Sequence, residues 1–296
     1  MRWPPPPRLA ARGSKAHGLG NDYLVFESGE DWLATPAAVT RVCDRTRGIG
    51  SDGIVALLWQ ETSGTTTEVG LRMFNPDGSE FERSGNGLRV LAAHLVRHDP
   101  EIRTVVAHVG GDEVAMTVHS VVAGTHDVSV EIGRARVGPD AVALNDEDFR
   151  ADVPDAEVVP VSVGNPHMVV LSEAGEGVRL DDETLNRWGP RITSHAALAA
   201  GANVQLAEAT DFGGRALIWE RGVGPTSASG TSACAVAVAL VSTGRRPHGH
   251  LRISMPGGSL TVGVSSELDV VLRGPVEEVF DVELTEAFTA SLGELP

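Results

Sequence analysis

The sequence predicts an α/β chain of the α+β kind, built by internal duplication, each half consisting mostly of strands wrapped around one buried helix. Three observations carry this. First, two motifs recur in the same order. LGNDYLVF at 19–26 is echoed by VGNPHMVV at 163–170, and RSGNGLRVLAAHL at 83–95 by ASGTSACAVAVAL at 228–240. Asn21 and Asn165 lie 144 residues apart and Ser84 and Ser229 lie 145 apart, so both motifs repeat at one offset. Second, each half holds short runs of β-branched and aromatic residues between Gly, Asp and Pro turn signals. Third, an apolar, alanine-rich stretch follows each Ser-Gly pair.

Taken in order, the segment 1–14 is rich in Pro and Arg and reads as a disordered tail. YLVFES, GIVALLW and EVGLRMF are the strands of the first half. GLRVLAAHLVRH then has helical length and composition and is opened by a cap-like Ser84. In the second half HMVVLSE, NVQLAEA and GRALIWE are strands, and SACAVAVALVSTG is the helix, closing at Gly244. SLTVGVSSELDVVLRGPVEEVF adds strands, and the C-terminal tail beyond it reads as helix or coil.

Composition excludes several classes. At 296 residues the chain suits one large or two modest domains, and 42% hydrophobic content supplies a core and excludes disorder of the whole. A net charge of −16 makes it a poor polyanion binder, so nucleic acid and anionic membrane surfaces are not expected partners. No run approaches the roughly 18–20 apolar residues of a membrane span. The N-terminus has no apolar core of a secretory signal. Two cysteines, Cys43 and Cys234, make no disulfide framework, so a soluble, cytoplasmic protein is expected.

A helix N-terminus presents unpaired N–H groups and partial positive charge, which suit carboxylate or phosphate. SGNG and SGTS place small residues there, so a ligand can approach the backbone. One such motif alone is most simply a capped helix, because Ser is a favoured N-cap. Two copies related by duplication favour two opposed helix ends gripping one small anion, with Ser84 and Ser229 on either side of it. Asn75 and Glu220 each lie nine residues before these serines and are repeat-equivalent. His167, in GNPH, falls opposite Tyr23 or its neighbour in the first copy. Neither cysteine has a Cys or His at zinc-binding spacing, and GLGND lacks the third glycine of a dinucleotide fingerprint. No metal and no nicotinamide cofactor is expected.

HGLGNDYLVF, RTRGIGSDGIV, FNPDGSEFERSGNGLRV, VGNPHMVV, GANVQL, ERGVGPT and ASGTSACA, in this order, resemble the diaminopimelate epimerases from about residue 15 to about residue 280. The resemblance implies two pseudo-symmetric domains, 15–128 plus 275–296 and 129–274, each a barrel-like wrap about a central helix, with the active site between them. It implies cofactor-independent epimerisation of L,L-diaminopimelate to the meso form by two bases, and a homodimer. In the family both bases are cysteines; here their positions hold Ser84 and Ser229. Cys234 lies inside the helix, where family members commonly carry a second cysteine, and Cys43 is far from either motif.

A thiol ionises near pH 8.5 and an alkyl hydroxyl is about as weak an acid as water, a handicap on the order of 10 kcal/mol for forming the anion. Serine could still act if a neighbouring base took its proton, and His167 and Glu220 are the candidates. The resemblance carries recognition of the distal end of the substrate onto Asn75, Asn165, Asn203 and Arg221. It carries the reacting end onto Asn21, Gly85, Asn86, Glu220, Gly230 and Thr231. Ser232 replaces a glycine, and Pro225 a glutamate, of the family pattern. A same-fold racemase or dehydratase acting on another amino acid is one alternative. An inactive ligand-binding paralogue, or a Cys-to-Ser variant, is another.

Overall fold

In the computed structural model, residues 4–81, 84–150, 156–172 and 178–295 are described. The chain divides into two units, Met1–Val130 with Pro275–Pro296, and Glu131–Gly274.

In the first unit β1 (Arg8–Gly18), β2 (Asn21–Ser28) and β3 (Trp32–Leu33) precede α1 (Pro36–Cys43). Then come β4 (Ile54–Ser63), β5 (Thr66–Phe74) and β6 (Glu80–Phe81). Helix α2 (Gly85–His98) leads to β7 (Thr104–Val109), β8 (Asp112–Val122) and β9 (Thr125–Arg134). The other unit continues with β10 (Arg136–Val137), α3 (Asp146–Arg150), β11 (Glu157–Ser162) and β12 (Pro166–Leu171). It adds α4 (Asp182–Thr193), β13 (Asn203–Thr210), β14 (Gly213–Glu220), β15 (Gly224–Thr226) and α5 (Gly230–Ser242). Last are β16 (Gly249–Met255), β17 (Gly258–Val264), β18 (Asp269–Glu283) and α6 (Glu286–Gly293).

Strand pairing in the first unit runs β1–β2–β4–β5–β7–β8–β9–β18 and back to β1, a closed barrel of eight strands. Two of its neighbours, β2–β4 and β5–β7, are parallel, and parallel neighbours need a crossover segment. Helix α1 supplies the first crossover and α2 the second. In the second unit the ring runs from β9 and β10 through β11–β12–β13–β14–β16–β17 to β18. There the parallel pairs are β12–β13 and β14–β16, bridged by α4 and α5. The repeat seen in the sequence is thus a repeat of topology.

Helices α2 and α5 are the buried ones. Every residue of α2 from Gly85 to Val96 is buried, and so is every residue of α5 from Ser232 to Leu240. A helix apolar on all sides is buried on all sides, and alanine at Ala233, Ala235, Ala237 and Ala239 keeps α5 narrow inside its ring. Outside the first ring, Val39 and Val42 of α1 and Leu292 of α6 pack with Leu9, Phe26 and Trp32.

The N-terminal tail expected over 1–14 needs correction from Arg8 onward; residues 1–3 lie outside the described residues. Arg8–Ser14 belong to β1, where Gly13 pairs with Phe26 of β2 and with Val282 of β18. Leu9 is fully buried, while Arg8 and Arg12 project outward to Glu30 and Glu283. Outward arginines beside small residues gave this strand a tail-like composition.

Candidate active site

In the first unit the site is assembled at the start of α2. Leu19 (φ 54°) and Gly20 (φ 88°) form the two-residue turn between β1 and β2, a positive-φ pair of the kind tight hairpins require. This turn sets Asn21 at the head of β2. A Cβ on the preceding Gly18 would come within 2.1 Å of Asn86 Oδ1, so only glycine lets Asn86 fit there. Asn86 donates its amide to the backbone oxygen of Asn21 at 2.7 Å and to Asn21 Oδ1 at 3.0 Å, and accepts from Arg89 at 2.8 Å. Asn21 in turn donates to Asp52 at 2.9 Å.

Next to it, Asp22 meets Lys15 and Arg45, each at 2.7 Å. Burial pushes the Asp22 carboxyl up, but these two cations together hold it below the usual carboxylate range. Ser84 is the N-cap of α2. Its Oγ accepts from Gly87 N–H at 3.1 Å and from the Tyr23 hydroxyl at 3.2 Å. The first-turn N–H groups of Gly85 and Asn86 have no partner within the helix, as at any helix start. Asn75 closes the turn 75–79 by donating to Ser79 Oγ at 3.0 Å.

In the second unit Ser229 is the N-cap of α5, yet its side chain makes no capping hydrogen bond. Gly230 and Thr231 follow, half-buried, with free first-turn N–H groups. Ser232 is fully buried and accepts from Gln205 at 3.0 Å; the same Gln205 amide donates to His167 Nδ1 at 3.0 Å. His167 Nε2 then donates to Asn165 Oδ1 at 2.9 Å. These bonds form one buried polar chain from the first turn of α5 across β13 to the β11–β12 turn. Burial lowers the His167 imidazole to about 3, so it is neutral near pH 7 with Nδ1 as acceptor and Nε2–H as donor.

Asn203, at the head of β13, accepts through Oδ1 from the Arg221 backbone N–H at 2.9 Å. The exposed Arg221 guanidinium leans on the Ala200 carbonyl. Glu220 is the last residue of β14, half-buried, its carbonyl capping the turn at Val223. Pro225 sits in β15 opposite Trp219, a short strand where a missing N–H is tolerated.

The structure therefore groups Asn21, Gly85 and Asn86 around Ser84, links Asn165 to His167, and links Asn203 to Arg221. It leaves Asn75 in its own turn. The imidazole expected to activate a serine is committed at both ring nitrogens to Asn165 and Gln205. Tyr23 and Gln205 went unassigned in the sequence. Tyr23 is the repeat-equivalent of His167 and does in the first unit what His167 does not do in the second, bonding directly to a helix-capping serine. Cys43, buried and pushed up to about 12, and Cys234, buried within α5, offer no exposed thiolate.

A strand ring around a buried helix, duplicated, is the two-repeat, epimerase-like fold. A predicted epimerase from Pseudomonas aeruginosa shares this fold at a TM-score of 0.61 and 21% identity, over 92% of this chain and 98% of that one. The family model for diaminopimelate epimerase matches residues 13–137 and 159–279. Diaminopimelate epimerase of Desulforudis audaxviator is 37% identical over 90% of this chain and 97% of its own. That of Prochlorococcus marinus is 32% identical over 95% of each. The chain belongs to the diaminopimelate epimerase family.

Proposed function

We propose that this protein epimerises diaminopimelate at an α-carbon, converting the L,L form to the meso form, with Ser84 and Ser229 at the two base positions. The observation that carries this reading is the pair of buried helices whose N-caps are these serines, each followed by first-turn N–H groups with no partner in the helix. Such ends suit an α-carboxylate and the enolate-like charge that spreads onto it when the α-proton leaves. One serine oxygen, as the alkoxide left when a neighbouring base has taken its proton, takes the α-proton, and the other, as the hydroxyl, gives one to the opposite face. The substrate gains and loses one hydrogen, is neither oxidised nor reduced, and the two serines exchange protonation states. The reaction so written draws on no cofactor. Asn75, Asn165, Asn203 and Arg221 would hold the distal end, the guanidinium pairing with its carboxylate. A homodimer and a cytoplasmic location go with this reading.

The serines bear on turnover and not on binding, because only turnover depends on their ionisation. A second reading, ligand binding without turnover, is supported by the commitment of both His167 nitrogens and by the neutrality of its ring.

Proton NMR of L,L-diaminopimelate in D2O separates these, run with the unmodified protein and with a Ser84→Cys, Ser229→Cys double variant. Exchange of the α-proton by the unmodified protein is the expected result for a serine-based epimerase. Exchange by the double variant alone supports the binding-only reading. Silence from both, with no stabilisation of the fold by the ligand, sinks the diaminopimelate assignment.

A further inference from the structure

The far end of α2 carries a second cluster that the epimerase reading does not use. His94 and His98 are four residues apart, so they share one helix face, and their rings meet edge to face at 4.6 Å. Glu27, near the end of β2, reaches the same point. Ligand atoms of Glu27, His94 and His98 all lie within 4.8 Å of one another. They open onto a surface cavity of about 710 Å³ that Ser14, Asp281 and Glu283 also line. We propose that His94, His98 and Glu27 form a binding site for a divalent transition-metal ion of the zinc type.

Three features argue for a site rather than a chance grouping. Zinc takes imidazole nitrogen at about 2.0–2.1 Å and carboxylate oxygen at about 2.0–2.2 Å, which puts tetrahedral ligands about 3.3–3.4 Å apart. His94 Nε2 and Glu27 Oε1 are already 3.1 Å apart. His98 and Glu27 are exposed, so small side-chain rotations bring in the third ligand. The second feature is the support behind His94. This ring is buried, and its Nδ1 lies 2.8 Å from Ser14 Oγ. A hydroxyl at that nitrogen can accept Nδ1–H and leave the Nε2 lone pair facing the cavity, the arrangement that orients metal-bound histidines. The third is charge. Asp281 is held by Arg97 and Glu283 by Arg12, so neither competes for the ion. Glu27 has no arginine partner and bonds to His94 alone among the described residues.

His94 lies ten residues beyond Ser84, about 15 Å along the helix axis, so the site is separate from the serine end of α2. Because its ligands and Ser14 come from β1, β2 and α2, the ion would clamp the helix C-terminal half to two strands.

Isothermal titration of the purified full chain with zinc chloride tests this, with cobalt absorption as a report of ligand geometry. One equivalent is expected to bind, with a visible cobalt band of tetrahedral intensity. H98A and E27Q alter exposed side chains and are expected to weaken zinc at least tenfold while leaving the far-UV circular dichroism unchanged. Ser14→Ala is expected to weaken it roughly tenfold through loss of the support to His94. Absence of binding to the unmodified chain would overturn the site. Equal affinity in H98A and E27Q would do the same by placing the zinc elsewhere among the histidines. Ser84→Ala is expected to bind zinc normally, so failure of the epimerase reading leaves this test intact.

Discussion

At the scale of single residues, His167 shows how burial decides chemistry. An imidazole in water is half protonated near pH 6.5; at the centre of the second unit it is neutral down to about 3. The unfolded chain therefore binds a proton between these values that the folded chain refuses. Stability from this residue is fully present above about pH 6.5 and drains away as pH falls toward 3, on the order of 2 kcal/mol between pH 7 and pH 5. Urea midpoints at those two pH values should fall further apart for the unmodified protein than for His167→Gln. Equal separations would mean that the ring is not held neutral. The same burial explains why this residue was visible in the sequence while its role was not. GNPH marks a position, but the partner that occupies Nδ1 is Gln205, 38 residues away on the neighbouring strand. Side-chain bonds across parallel strands leave no fixed spacing to read. His167 is a candidate to take a serine's proton, and both its ring nitrogens are hydrogen-bonded, to Asn165 and Gln205.

At the scale of elements, the two helix starts share a motif and differ in what their serines do. Ser84 holds Gly87 N–H and receives Tyr23, whereas Ser229 makes no capping bond. An N-cap hydroxyl is worth about 1 kcal/mol, so Ser84→Ala should lower the unfolding free energy by that amount, read from a lower denaturant midpoint. Ser229→Ala should cost a few tenths of a kcal/mol at most. Equal losses would contradict the asymmetry, and a larger loss at Ser229 would reverse it. The same asymmetry bears on chemistry. The two hydrogen bonds that Ser84 Oγ accepts would favour negative charge on that oxygen, and Ser229 has no capping bond of this kind. Helix position and length were legible because alanine-rich composition and a capping serine recur at one offset. The asymmetry was not, since SGNG and SGTS cap equally well on paper. Strand β1 was missed for a related reason. Its partners are the adjacent hairpin strand, β3, and β18 more than 250 residues downstream, and Leu9, opposite Ser28 and Trp32, is buried among them.

At the scale of the whole molecule, the duplication produced two rings that close in different ways. The second unit is one continuous stretch, Glu131–Gly274, and its ring is completed by β9 and β18, which cross its two ends. The first is closed by the end of the chain: the later part of β18 lies between β1 and β9, and α6 adds Leu292 to its core. Ending the chain after Gly274 would remove that stave. It would also unpair one edge of β1 from Arg12 to His17 and strip Leu284 and Leu292 from the core around Trp32 and Val42. Open strand edges and a thinned core lower local stability and invite intermolecular pairing. Hydrogen exchange on such a truncated chain should show protection lost in β1, β2 and β9, while β13, β14 and β16 keep theirs. Uniform loss would mean that the second ring draws its stability from the first, and the sequence repeat would then describe ancestry without describing independent folding.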